Sequence, residues 1–305
     1  MAMPSTAVAT AERVAVEAGE ERHGWKQMLT GPGLIVPAIV FTILFSLIPL
    51  IYVVIVSFTQ ESTFFFHNPI YTISNYTKTW NRYLPTVRTT VYLAALSTLV
   101  DLILGYPFAY ILIRRVRYRE LVRTLMTFPL FGPLYLSFGL HYILLPGGPF
   151  DPVVTPVLNF FGLQAVDLLY SLWSVLFGMA VFTFPFMVMN IGAALSNVDP
   201  TLEEAATTLG ARPWQTFWRV LFPLSRSGIL AGFLMCFGWN LGVYVVPILL
   251  GTLKEQRVLA IVIQTKALGG QFDYGLASAL GIVLMGLAFT VTWLSLRLSR
   301  GALGA

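Results

Sequence analysis

Charge is scarce in this chain of 305 residues. Only 11% of positions are Asp, Glu, Lys or Arg, where a soluble domain carries roughly 25%. Hydrophobic residues make up 56% and the mean hydropathy is +0.75, which excludes an ordinary soluble protein and points to an integral membrane one. The single cysteine, Cys236, lies in an apolar run, so no intrachain disulfide can form. The histidines His23, His67 and His141 are far apart, and no H-E-x-x-H or Cys/His cluster occurs, which leaves no metal-ligand motif. No G-x-x-x-x-G-K-[ST] loop is present, so this polypeptide does not bind and hydrolyse ATP by that route. No nucleophile–base pair or intramembrane aspartate pair marks an enzyme. No basic cluster with interleaved aromatics lies outside the membrane-flanking loops, so the net charge of +5 is read for topology and not for nucleic acid.

What the chain has is long apolar runs. A bilayer core of about 30 Å needs roughly 20 helical residues. Six segments qualify: 34–58, 87–113, 121–145, 170–195, 227–250 and 277–298. Prolines at 37, 49, 107, 129, 133, 185 and 247 fall within them, as neighbouring membrane helices permit. With the N-terminus inside, 13 Lys and Arg lie on the cytoplasmic side and 6 outside. The expectation is an all-α integral membrane protein of six transmembrane helices with cytoplasmic N- and C-termini. Residues 1–30, with Glu12, Glu17, Glu20 and Glu21, do not read as a signal peptide and are expected to form a mobile cytoplasmic tail. The membrane domain is expected over 31–300. The outer connections, 59–86, 146–152 and 251–274, fit either ordinary loops or a surface that receives a partner.

Polar residues inside the spans invite a functional reading. Asp101 is the only acidic residue deep within a span, and an ionised carboxylate in hydrocarbon costs several kcal/mol. It is either a contact or gate for a cationic solute or a polar contact between helices. Trp239, Asn240 and Tyr244 fall in the fifth span, with Asn240 and Tyr244 expected at i and i+4 on one face, where their polar tips line a path. Gly228, Gly232, Gly238 and Gly242 on the same helix suggest close packing instead, and the two roles suit opposite faces. His141 and Asn190 are read as satisfied core polars.

Between the fourth and fifth spans lies a segment of a different kind, 196–224. Asp199 suits an N-cap and Pro200 the first helical position. Leu202, Ala205, Ala206 and Leu209 then recur at i, i+3, i+4 and i+7, and Gly210 supplies a left-handed stop. A second short helix is expected from Pro213, with Trp214, Phe217, Trp218 and Leu221 on one face and Pro223 ending it.

Glu204-Ala205-Ala206, three residues, Gly210, nine residues and Val220-Leu221-Phe222-Pro223 resemble the EAA loop of ABC-importer permeases, E-A-A-x3-G-x9-I-x-L-P. Val220 stands for the usual Ile and Phe222 for the usual Leu, both still apolar. Leu104-Gly105-Tyr106-Pro107-Phe108-Ala109-Tyr110, the stretch from Leu241 to Gly251, and Tyr274 to Leu280 are similar to the spermidine/putrescine-type branch. The resemblance covers roughly 31–300 and implies a type I importer permease fold in a bacterial inner membrane. It implies partners too: two ATP-binding subunits holding ATP and Mg, a second homologous permease chain and an extracytoplasmic solute-binding protein. The residues it implies for ATPase coupling are Glu203, Glu204, Ala205, Ala206 and Gly210. No cofactor is expected on this chain. Because the branch also handles ferric iron, thiamine, opines and aminophosphonates, the solute does not follow from it. The competing reading is a self-contained ion-coupled transporter with Asp101 as proton carrier, against which stands the lack of an obvious inverted repeat.

Overall fold

The computed structural model describes residues 35–60, 70–128, 132–160, 162, 169–251, 258–269 and 272–303. The expected tail, 1–30, lies outside them, as do Lys254 and Arg257. The chain divides into two units, 1–55 and 56–305. The described part of the first is apolar helix, belonging to α1 (Ile35–Ser57). It is long enough to cross a bilayer.

Among its described residues the second unit's regular structure is helical apart from one isolated bridge between Thr59 and Tyr71. Its described elements are α2 (Ser74–Arg114), α3 (Arg119–Met126), α4 (Pro133–Leu144), α5 (Asp151–Phe160), α6 (Leu172–Ser196), α7 (Pro200–Thr208), α8 (Pro213–Gly242), α9 (Val245–Leu250), α10 (Leu259–Leu268) and α11 (Tyr274–Leu303). Among the described residues, five helices are long and apolar enough to span: α1, α2, α6, α8 and α11. The expected third span is not one continuous helix. It consists of α3 and α4, and Gly132 precedes Pro133 with φ +149°, a conformation that no helix accommodates.

Three other expectations are corrected. The second span begins well before residue 87, because α2 runs outward to Ser74 through polar turns that the hydropathy reading had assigned to a loop. The outer connection 251–274 contains α10, whose Leu259, Ala260, Ile261 and Val262 are buried. Pro223 does not end a helix. Phe217–Leu221 forms a π-turn in which the Phe222 N–H reaches the Phe217 carbonyl, and α8 continues to Gly242. The wider turn shifts the register where proline has no N–H to donate.

The centre of the unit is the packing of α6 against α2 and α8. Tyr106, Ala109 and Leu112 of α2 meet Met187, Val188, Ile191 and Leu195 of α6 and Ile229 and Cys236 of α8. A second cluster joins Val175 and Met179 of α6 to Leu144 of α4 and Val246 and Leu250 of α9. α6 and α8 come close because Gly228 has no side chain; a Cβ there would lie 2.6 Å from the Asn190 carbonyl oxygen. Gly232 faces Met187 and Asn190 in the same crossing, whereas a Cβ on Gly238 or Gly242 would meet nothing from another element within 4 Å among the described residues. The two pairs of small residues thus divide: one packs, the other stays open.

Candidate functional site

α7 is built as its sequence predicts. Asp199 caps it by accepting the Thr201 N–H at 2.9 Å, and that backbone donor holds its carboxyl below the usual range. Pro200 opens the first turn. At the other end Gly210 takes φ +82°. The Gly210 N–H bonds the Thr207 carbonyl at 2.9 Å and the Ala211 N–H bonds the Ala206 carbonyl at 3.0 Å, a Schellman closure. No residue of α7 is buried. Leu202 is 45% exposed and Leu209 87%, so its apolar edge is uncovered within this chain.

The two glutamates of α7 part ways. Glu204 and Ala205 are exposed and Ala206 is half-buried. Glu203 turns inward: the Arg114 guanidinium stands 2.8 Å from its Oε1, and the Tyr110 hydroxyl donates to its Oε2 at 3.0 Å. Arg114 also donates to the Val198 carbonyl at 2.8 Å, in the link between α6 and α7. Sequence reasoning placed Arg114 only as a topological charge and gave Tyr110 no role. The available signal was Tyr106, Tyr110 and Arg114 at four-residue spacing, three polar tips on one stripe of an apolar helix end.

The polar residues of the spans form a node between α2, α6 and α8. Asp101, Thr183 and Asn240 are each no more than 2% exposed. Thr183 Oγ1 lies 2.6 Å from Asp101 Oδ2 and 2.9 Å from the Met179 carbonyl, so its one proton serves either acceptor. Asn240 Nδ2 donates to Ser97 at 2.8 Å and reaches Thr183 at 3.2 Å. Apart from the Thr183–Met179 bond within α6, each of these joins two helices, an arrangement in which polar side chains act as glue.

Asn240 and Tyr244 do not share a helical face. α8 ends at Gly242, and Tyr244 precedes α9 with φ −115°. The break separates their surroundings: Asn240 is in the node, while Tyr244 and Trp239 border an apolar cavity of about 600 Å³ together with Phe182, Met235 and Gly242. Trp239 stacks on Phe186 at 5.9 Å and stays about half exposed. Asp101 does not border this cavity. His141 Nδ1 bonds the Leu249 carbonyl at 3.2 Å and Asn190 Nδ2 donates to the Phe186 carbonyl at 2.8 Å.

The described residues thus form a multi-pass helical membrane protein with a capped, uncovered helix between two spans. The family described as binding-protein-dependent transport system inner membrane component matches residues 102–302, and the chain belongs to it. It is 32% identical over 263 residues to the spermidine/putrescine transport system permease protein PotB of Haemophilus influenzae, covering 83% of this chain and 90% of the relative. To PotB of Escherichia coli strain K12 it is 29% identical, covering 87% and 97%. Among solved structures, a chain of the bacterial alginate ABC transporter in complex with an alginate pentasaccharide-bound periplasmic protein shares the fold, with TM-score 0.72, 22% identity, and 90% and 95% covered. A chain of the inward-facing MetNI methionine ABC transporter gives TM-score 0.54 at 16% identity, with 71% and 94% covered. The protein is therefore the permease component of an ABC importer in a bacterial inner membrane.

Proposed function

We propose that this permease imports a small, positively charged organic solute of the polyamine type, delivered by an extracytoplasmic binding protein and driven by ATP hydrolysed on two partner subunits. The observation that carries the ATP-driven reading is α7. It is a short helix with a cap at each end, no buried residue and an exposed apolar edge at Leu202 and Leu209. Such an edge needs a cover, and the resemblance of the E-A-A-x3-G segment to the EAA loop of importer permeases supports an ATPase subunit as that cover. In this reading Glu204, Ala205 and Ala206 face the ATPase, and Gly210 sets the turn that leads into α8. A second, non-identical permease chain completes a pseudo-twofold assembly.

The mechanism is alternating access. ATP closes the partner ATPase pair, α7 moves with it, and the helices rearrange so that the cavity beside Trp239 and Tyr244 opens outward. Those rings, with Phe182, offer π faces that attract an ammonium group without holding it. The polyamine class is supported by the names of the relatives. The ion-coupled alternative has less support, because Asp101 is 1% exposed and bonded to Thr183 in the node, and the separate cavity of about 340 Å³ that it borders is lined almost wholly by apolar side chains.

The test is Gly210→Val in a complex reconstituted with the ATPase subunits and the binding protein. A β-branched residue at φ +82° costs roughly 1–2 kcal/mol and misdirects α7. The expected result is loss of spermidine uptake and of ATPase stimulation by loaded binding protein. Full uptake at normal expression would contradict the coupling role of α7.

A further inference from the structure

The three polar tips at the end of α2 each hold a different part of the segment that follows α6. Tyr106 lies 2.8 Å from Ser225 of α8. Ser225 gives its own proton to the Leu221 carbonyl at 2.7 Å, so the tyrosine is the donor. The Tyr106 ring also meets the edge of Phe217 in the π-turn, at 4.9 Å. Tyr110 holds Glu203 of α7. Arg114 holds Glu203 and the Val198 carbonyl, on both sides of the α7 N-cap. Arg114 and Glu203 are each 15% exposed, so water screens the pair only in part. Beneath α7 lies a cavity of about 530 Å³, bordered by Tyr106, Tyr110, Glu203, Thr207, Trp214 and Phe217. With space under it and no residue buried, α7 is joined to α2 by the side-chain bonds of Glu203 and packs on the first turns of α8.

We propose that Tyr106, Tyr110 and Arg114 form a strut through which movement of α7 is passed directly to α2, with the Arg114–Glu203 pair as its principal joint. This rests on the reading that α7 docks the ATPase, and it separates the two glutamates: Glu204 faces the partner, whereas Glu203 faces this chain. Without the joint, α7 pulls directly only on the helices that flank it in sequence, α6 and α8, and reaches α2 through their packing. With it, α2 moves with them. Arg114, Tyr110 and Tyr106 are positioning residues, since none borders the cavity beside Trp239.

The experiment uses the full reconstituted complex and reads spermidine taken up per ATP hydrolysed in Arg114→Gln, in Glu203→Gln, and in the charge swap Arg114→Glu with Glu203→Arg. Each single variant is expected to lose about tenfold in that ratio, within the usual range of coupling between sites, and the swap is expected to recover most of it. A ratio equal to wild type in both single variants would overturn the proposal. So would a Glu203→Gln complex that sheds its ATPase subunits while Arg114→Gln keeps them, because Glu203 would then bind the partner. Tyr110→Phe removes one hydroxyl and little else. It should lower the ratio by a few-fold, and an unchanged ratio in it would overturn the proposal even where the charge variants fail to insert. Gly210→Val runs alongside. If that variant transports normally, the reading of α7 as the docking helix fails, independently of the strut.

Discussion

Adding one carbon to Gly228 gives the sharpest test of the packing described above. At the crossing of α6 and α8, a Cβ on Gly228 would stand 2.6 Å from the Asn190 carbonyl oxygen and nearer still to the Ala194 Cβ. These are backbone and Cβ atoms, so no side chain can rotate away. Ordinary contact requires the helices to part by roughly 1 Å, which forfeits a quarter to a half of each dispersion contact along the seam. The seam includes Met187, Ile191, Ile229 and Cys236. Gly228→Ala should therefore destabilise the protein by about 2–3 kcal/mol, the upper part of the range for overpacking. The Cβ of Gly238→Ala, ten residues along the same helix, would meet nothing from another element within 4 Å among the described residues, and the change should cost only a few tenths of a kcal/mol, or gain a little through helix propensity. Thermal denaturation of the detergent-purified complex, followed by loss of the monodisperse peak, compares the two. Equal stability of both variants, or the reverse order, would refute the assignment of Gly228 to the packed crossing and Gly238 to the open side.

Three other predictions follow from the node and the cavity. Asn240→Ala removes the donor to Ser97 and Thr183 and should destabilise by about 1–2 kcal/mol, given 0.6–1.7 kcal/mol per interhelical bond in membranes, while uptake per assembled complex stays near wild type. Trp239→Ala should do the opposite: uptake of spermidine falls and the denaturation temperature barely moves, because the ring is half exposed. Normal uptake by Trp239→Ala would take that cavity off the solute path. Asp101→Asn keeps the shape and an acceptor for Thr183, so each assembled complex should transport normally and only yield or thermal stability should fall. Loss of uptake at unchanged stability would place Asp101 on the path.

Local features were the ones legible in the sequence. The cap at Asp199, the turn at Gly210 and the spacing of the E-A-A segment are set within a dozen residues, and the structure has the cap and the turn as expected. Breaks were partly visible. Pro133 after Gly132 signalled an interruption, yet the apolar run 121–145 outweighed it in a hydropathy reading. Pro223 misled in the other direction, because the π-turn that accommodates it depends on Trp214, Phe217 and Trp218 packing around Tyr106 and Phe222. The division of Asn240 from Tyr244 needed the end of α8 at Gly242, which no periodicity marks. The Arg114–Glu203 joint lies furthest from sequence reasoning. Its members come from separate helices, and Arg114 carries a second, sufficient explanation as a cytoplasmic charge.

The central claim is that ATP hydrolysis on partner subunits drives this permease through α7. It is tested most directly in sealed proteoliposomes holding this chain, the proposed second permease chain and the ATPase subunits, with binding protein and labelled spermidine on one side and nucleotide on the other. The account predicts uptake with ATP, none with ADP or under an imposed proton gradient alone, and none with ATP when α7 carries Gly210→Val. Uptake that follows the proton gradient and persists without the ATPase subunits would contradict it.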